Sequence, residues 1–233
     1  MSTNSPPGFT QATVGKKVLM AITGISIVGF VVIHLIGNLQ IFAGQEKLNA
    51  YAEMLQNMGA LKWGFRSVIA LFFSVHIWKG IILWLENKKA RPVSYAKENT
   101  LEASIASKTM IYSGVTILLF VAYHISHFTL LDCHPEYQNL PLVDGRFDVY
   151  SMVILGFSEP LISAIYIAAI SMMSFHLSHA TSSFFQTLGL TSPECLKKLK
   201  IVSHTFAFII FLGYVSMPIA VMMHIITLPG GGH

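Results

Sequence analysis

The 233-residue sequence predicts an all-α integral membrane bundle of five transmembrane helices. Three observations carry that expectation. Hydrophobic residues make up 53% of the chain and charged residues only 11%, whereas a soluble domain carries roughly a quarter charged residues. The apolar residues gather in five runs, each near or above the ~20 residues needed to cross a bilayer core. The polar junctions between those runs hold nearly all the lysines and arginines. A soluble five-helix protein would instead show apolar stripes on otherwise polar helices. Residues 1–233 are expected to form one bundle without a second domain.

Taken in order, the stretch up to Phe9 is rich in Ser, Pro and Gly and lacks any element signal. Helix one spans about residues 18–42. It is too long for the apolar region of a signal peptide and is expected to be retained. Its Gly24, Gly29 and Gly37 offer faces on which a neighbour or a flat cofactor can approach the backbone. Between Gly44 and Trp63, Leu48, Tyr51, Leu55 and Met58 recur at helical spacing, predicting a short interfacial helix that covers the bundle or walls a pocket. Helix two covers about 67–85. The connection Asn87–Lys108 is polar and charged, and offers a landing surface for a soluble partner. Helix three covers about 109–131. Helix four, about 150–185, exceeds what a membrane requires and is expected to tilt or project, with Pro160 near its start. Helix five spans about 201–228, with Pro218 predicted to kink it.

The formal charge of +4 and pI near 9.0 do not make a nucleic-acid surface, because no basic face interleaved with aromatics exists. The basic residues report orientation instead. Lys16, Lys17, Lys88, Lys89, Arg91, Lys97, Lys108, Lys197, Lys198 and Lys200 fall at the N-terminus and in the second and fourth junctions. Only Lys47, Lys62, Arg66 and Arg146 accompany the first and third, and Asp132, Glu136, Asp144 and Asp148 crowd the third. The positive-inside rule then places the N-terminus in the cytoplasm and the C-terminus outside. Cys133 and Cys195 fall near opposite faces, and neither belongs to a C-x-x-C-H run for covalent haem.

The first four runs each contain a histidine: His34, His76, His124 and His176. Ionisable groups at membrane depth usually face the bundle interior and serve a function. At 1.5 Å per residue, His34 lies about 24 Å above Val18 and His124 about 21 Å above Met110. By the same measure His76 lies about 14 Å from Leu85, and His176 about 24 Å below Pro160. The pairs that match are His34 with His124 near the outer face and His76 with His176 near the inner. His127, three residues from His124, serves His34 equally well by this arithmetic. Paired imidazoles with no open position suit haem iron that carries electrons. Zinc sites gather three or four ligands tightly, and no such spacing is present. A proton relay through the histidines is the remaining reading. Lys79, one turn from His76, and His179, one turn from His176, are placed to meet haem propionates. Gly37 and Gly80 are candidate haem-facing positions.

Several segments resemble the cytochrome b membrane anchor of succinate:quinone oxidoreductases, in the single-chain dihaem form. These are Gly-Lys-Lys-Val-Leu-Met-Ala-Ile-Thr-Gly from Gly15, His-Leu-Ile-Gly-Asn-Leu from His34 and Leu-Asn-Ala-Tyr-Ala from Leu48. Ala-Arg-Pro-Val-Ser-Tyr from Ala90, Phe-His-Leu-Ser-His from Phe175 and Phe-Gln-Thr-Leu-Gly from Phe185 continue the likeness. Ala180 departs from the glycine more usual there. The resemblance implies two non-covalent haems b, with His34, His76, His124 and His176 as axial ligands, and so selects His124 over His127. It also implies a flavoprotein and an iron–sulfur subunit on the cytoplasmic face of a prokaryotic inner membrane, and a menaquinone-type quinone as electron partner. The quinone is expected near the outer face, where Asn38, Glu46, Tyr51 and Glu53 offer polar groups. Dihaem anchors of hydrogenases, formate dehydrogenases or nitrate reductases, and a haem-free transporter, are the rival classes.

Overall fold

The computed structural model describes residues 12–89 and 105–230. Helix α1 runs Thr13–Asn38 and tightens into a 3-10 turn, Leu39–Ala43. Gly44 then reverses the chain with φ +96°, a conformation open to glycine at little cost. The expected short helix follows as α2, Gln45–Gln56, which buries Leu48 and Asn49 and turns Glu46 and Glu53 outward. Helix α3 is Ala60–Lys89 and α4 is Ile105–Ile125. A π turn, Ser126–Leu130, continues α4 until Leu131 adopts φ +61°. After a 3-10 turn at Pro135–Asn139 come α5 (Val149–Ser158), α6 (Pro160–Thr187) and α7 (Pro193–Met222). Among the described residues there is no strand, only an isolated bridge between Val143 and Arg146.

Five helical segments are long and apolar enough to cross a membrane: Val14–Ala43, Ala60–Lys89, Met110–Asn139, Pro160–Thr187 and Glu194–Met222. Their exposed Ile33, Leu71, Leu119, Phe175 and Phe208 form the apolar exterior of a multi-pass membrane protein. Helix α3 extends beyond the expected 67–85 at both ends, and the predicted fourth and fifth helices differ more substantially. The predicted fourth helix is two helices, because Glu159 takes an extended conformation (ψ 113°) and Pro160 starts α6 at its first turn. Ser163 Oγ, fully buried, donates to the Phe157 carbonyl at 2.7 Å and so satisfies a group that the break exposes. The predicted fifth helix begins eight residues early, at Pro193 in place of Ile201. Ser192 caps it by accepting from Cys195 N–H, and the charged turn Glu194–Lys200 is helical although not apolar. Helix α7 continues through the buried Pro218 and ends at Met222, short of the expected Leu228. The expected partner-landing connection falls largely on residues 90–104, outside those described, as does the Ala90–Tyr95 segment of the resemblance.

Helices α6 and α7 pack most extensively; α1 leans on α3 and α6, and α4 on α6. The core lies among α1, α5, α6 and α7, around Leu35, Phe157, Tyr166, Ile170 and Ile210. Gly213 lets Leu35 sit against the α7 backbone, since a Cβ there would stand 2.8 Å from its Cδ2. One end of the bundle carries α2, α5 and the 3-10 turns. The other carries the ion pair of Lys16 with Glu86.

At the α2 end, Asp148 holds the cover in place. Its buried carboxylate caps α5 by accepting from Ser151 N–H (3.1 Å), and also accepts from Asn49 Nδ2 (2.9 Å) and Gln45 Nε2 (2.8 Å) of α2. Asn49 Oδ1 in turn accepts from Tyr150 N–H at 3.0 Å. Burial alone would raise the Asp148 pKa, but the hydrogen bonds from Ser151, Asn49 and Gln45 outweigh it and hold the carboxyl below its ordinary value. Glu53 of α2 adds an ion pair to Arg146 at 2.7 Å.

Candidate functional site

The four histidines meet as two pairs. His34 of α1 faces His124 of α4 with ring centroids 5.8 Å apart, and His76 of α3 faces His176 of α6 at 6.4 Å. Two metal–nitrogen bonds of about 2 Å plus two ring radii give roughly 6 Å, so either gap admits one metal ion between its rings. The separation of the pairs can be measured along three helices. Gly24 abuts His76 and lies ten residues before His34; Tyr166 touches His124 and lies ten before His176; Ser113 touches His176 and lies eleven before His124. Each interval is about 15 Å of helix.

Hydrogen bonding fixes which nitrogens can be ligands. His76 Nδ1 lies 3.2 Å from the Met20 carbonyl, which only accepts, so Nδ1 carries the proton and Nε2 keeps its lone pair. Thr23 Oγ1, 3.4 Å from the same nitrogen, spends its own proton on the Leu19 carbonyl. His176 Nδ1 lies 3.0 Å from Ser113 Oγ, whose proton is donated to the Met110 carbonyl at 2.9 Å. Nδ1 therefore donates here too, again leaving Nε2 bare. In the other pair, the Asn38 amide donates to the His34 carbonyl (2.7 Å) and lies 3.3 Å from His34 Nε2, marking that nitrogen as unprotonated. His124 Nδ1 meets the Tyr166 hydroxyl at 3.3 Å. Second partners of this kind orient metal-ligating imidazoles.

The surroundings suit a flat group. Gly24 leaves no spare room beside His76, where a Cβ would come within 3.1 Å of the ring, while Gly114 stands at an ordinary 3.7 Å from His176. Phe30 stacks on His34 at 5.4 Å and Phe120 lies 5.9 Å from His124. Among the described residues no three His, Cys, Asp or Glu side chains gather closely enough to hold a metal ion, and each histidine pair brings together two imidazole donors.

The other sequence candidates are placed as follows. Gly37 lies under Tyr51, whose hydroxyl and ring carbons would come within 2.6 Å of a Cβ there. Gly80 faces Met20 across 4.0 Å. Lys79 Nζ lies 4.8 Å over the ring of Trp78, itself largely exposed on the bundle exterior. His179 is half-buried one turn beyond His176. Asn38 is engaged with His34 and Glu53 with Arg146, while Glu46 is exposed in the first turn of α2. His127 belongs to neither pair: it is completely buried, with Nδ1 2.9 Å from the Tyr166 hydroxyl. Ser113, Thr23 and Tyr166 were not legible as site residues, because serine, threonine and tyrosine are ordinary in membrane helices. Only their hydrogen bonds to the histidines single them out.

Comparison with known proteins finds no matching family model, no similar curated protein and no similar solved structure.

Proposed function

We propose that the chain is the membrane anchor and dihaem electron-transfer subunit of a succinate:quinone oxidoreductase, passing electrons between an iron–sulfur subunit and a menaquinone-type quinone. The carrying observation is the two interhelical histidine pairs, about 15 Å apart along the bundle, with unprotonated Nε2 atoms on His34, His76 and His176. The sequence resemblance selects the oxidoreductase.

When bound, haem supplies one-electron chemistry at each pair. The chain's own residues hold the ligands still and exclude water. Met20 and Ser113 accept the Nδ1 protons of His76 and His176, and Phe30 and Phe120 keep the other pair dry. In this reading the Lys16–Glu86 end is cytoplasmic, and Lys197, Lys198 and Lys200 at the start of α7 contribute charge where the soluble flavoprotein and iron–sulfur subunits dock. The α2 end lies outside and exchanges quinone. The prokaryotic inner membrane is the location this implies.

The test is a dithionite-reduced minus oxidised spectrum with a haem-to-protein ratio, expected to show b-type bands and two haems per chain. His34→Ala and His124→Ala should each remove the haem of the α2 end and leave the other. Absence of a b-type band would sink the proposal, and equal loss of both haems from each variant would sink the pairing. Haem reduction by succinate in the purified complex separates this reading from a hydrogenase or formate dehydrogenase anchor.

A further inference from the structure

A cleft of about 640 Å³ opens at the α2 end between the Pro135–Asn139 turn and the α5–α6 break. His134, Glu136, Tyr137 and Glu159 supply its polar lining, and Leu155 and Leu161 are among its apolar residues. His134 and Tyr137 stack at 4.9 Å and 11°, making one flat aromatic surface. Glu136 accepts from His134 Nδ1 at 2.8 Å, which leaves Nε2 of the neutral ring free to accept a proton or a hydrogen bond. Leu161, 73% exposed in the first turn of a membrane-crossing helix, gives the cleft an apolar lip.

Behind that surface lies His127, with ring centroids 5.0 Å from His134 and 6.2 Å from Tyr137. It sits in the π turn, a distortion frequent at functional sites. Its Nε2 is buried without a protein partner, an arrangement that typically costs about 1–3 kcal/mol. Through Tyr166 it reaches His124, so an unbroken chain of contacts joins the cleft to the His34–His124 pair.

We infer that this cleft binds the ring of a membrane-soluble quinone or quinol, in place of the Asn38–Tyr51 region that the sequence suggested. The chemistry of the lining selects the class. Two carboxylates and no lysine or arginine repel phosphates and other anions. An aromatic wall with one imidazole and two acids suits a neutral ring carrying carbonyl or hydroxyl oxygens, and the volume falls in the range of about 300–1,000 Å³ usual for small-molecule pockets. Of the residues first suggested, Asn38 is bonded to His34 and Glu53 is paired with Arg146, while Tyr51 lies against Gly37 and Glu46 is exposed in the first turn of α2.

The inference rests on the proposed function for its electrons. Reduction takes two electrons, which a haem held by His34 and His124 would supply one at a time, and two protons from solvent by way of His134, Glu136 and Glu159. Both ring carbonyls become hydroxyls, and quinol oxidation reverses each transfer.

The experiment uses the full chain in membranes with an azido-naphthoquinone photoprobe and peptide mapping. Label is expected within residues 134–140 or 155–162, and at least tenfold less of it in Leu161→Trp, which fills the lip from an exposed position. Phe208→Trp, on the exterior of α7, should label as the parent does. Monodispersity in detergent shows that each variant is folded. Label on Asn38 or α2, or label indifferent to Leu161→Trp, overturns the inference while a two-haem spectrum leaves the proposed function standing. Label in the cleft without any b-type band supports the cleft and removes the dihaem reading.

Discussion

Ser113 has one hydroxyl proton, and the Met110 carbonyl takes it; this small fact decides the tautomer of His176. Ser113→Ala removes the acceptor for Nδ1 and frees the ring to turn or to protonate at Nε2. Loss of such a partner typically costs 10–100-fold in metal affinity. On the proposed dihaem reading, the expected result is a haem at the His76–His176 pair that dissociates 10–100-fold more readily, measured by transfer to apomyoglobin, with the other haem unchanged. Asp148 makes a prediction of a different kind. Its folded pKa lies below the ordinary value, so its stabilisation is complete above about pH 4–5 and is lost as pH falls through the folded pKa. Asp148→Asn places an amide N–H either against the Gln45 donor or against the donors from Asn49 and Ser151. The variant should be about 1–3 kcal/mol less stable at pH 7, with the difference closing in thermal melts taken toward pH 3.

At the scale of elements, the four histidine-bearing helices were legible because each histidine interrupts an apolar run, and the short α2 because its apolar residues recur at helical spacing. The break between α5 and α6 was not, although Pro160 stood in view. Hydropathy stays high across Gly156–Ile162, and proline at a first turn leaves no trace in it. The start of α7 was missed for the converse reason: Ser192-Pro193-Glu194 is a capping signature, but the turn after it is charged. The break rests on one hydroxyl. Ser163→Ala leaves the Phe157 carbonyl without its hydroxyl donor in a buried place, and should lower stability by about 1–3 kcal/mol in a chemical-denaturation series. Ser163→Thr, which keeps the donor, should recover part of that loss.

For the whole molecule, depth arithmetic along single helices anticipated that α1 pairs its histidine with α4 and α3 with α6, because α-helical rise is nearly invariant, but left His124 and His127 undecided. The cleft was beyond its reach, since Leu155, Leu161 and His134 come together only through the α5–α6 break. Orientation is open to a direct measurement: Cys133 and Cys195 are free and exposed. A membrane-impermeant maleimide added to intact cells should modify Cys133 and spare Cys195, and inside-out vesicles should give the converse. The same side reacting for both would refute an odd number of crossings between them.

The ten-residue interval shared by α1 and α6 has a rotational consequence. Ten residues at 100° each amount to a little under three turns, so successive site positions on one helix point about 80° apart. One helix therefore cannot present the same side to both gaps, and α1 offers a side chain, His34, to one and a bare backbone, Gly24, to the other. The two histidine gaps are thereby built on different helix couples, α1 with α4 and α3 with α6, like steps of a spiral stair. A single inserted residue between Gly24 and His34 would swing His34 by about 100° and leave Gly24 in place, disabling one step and sparing its neighbour.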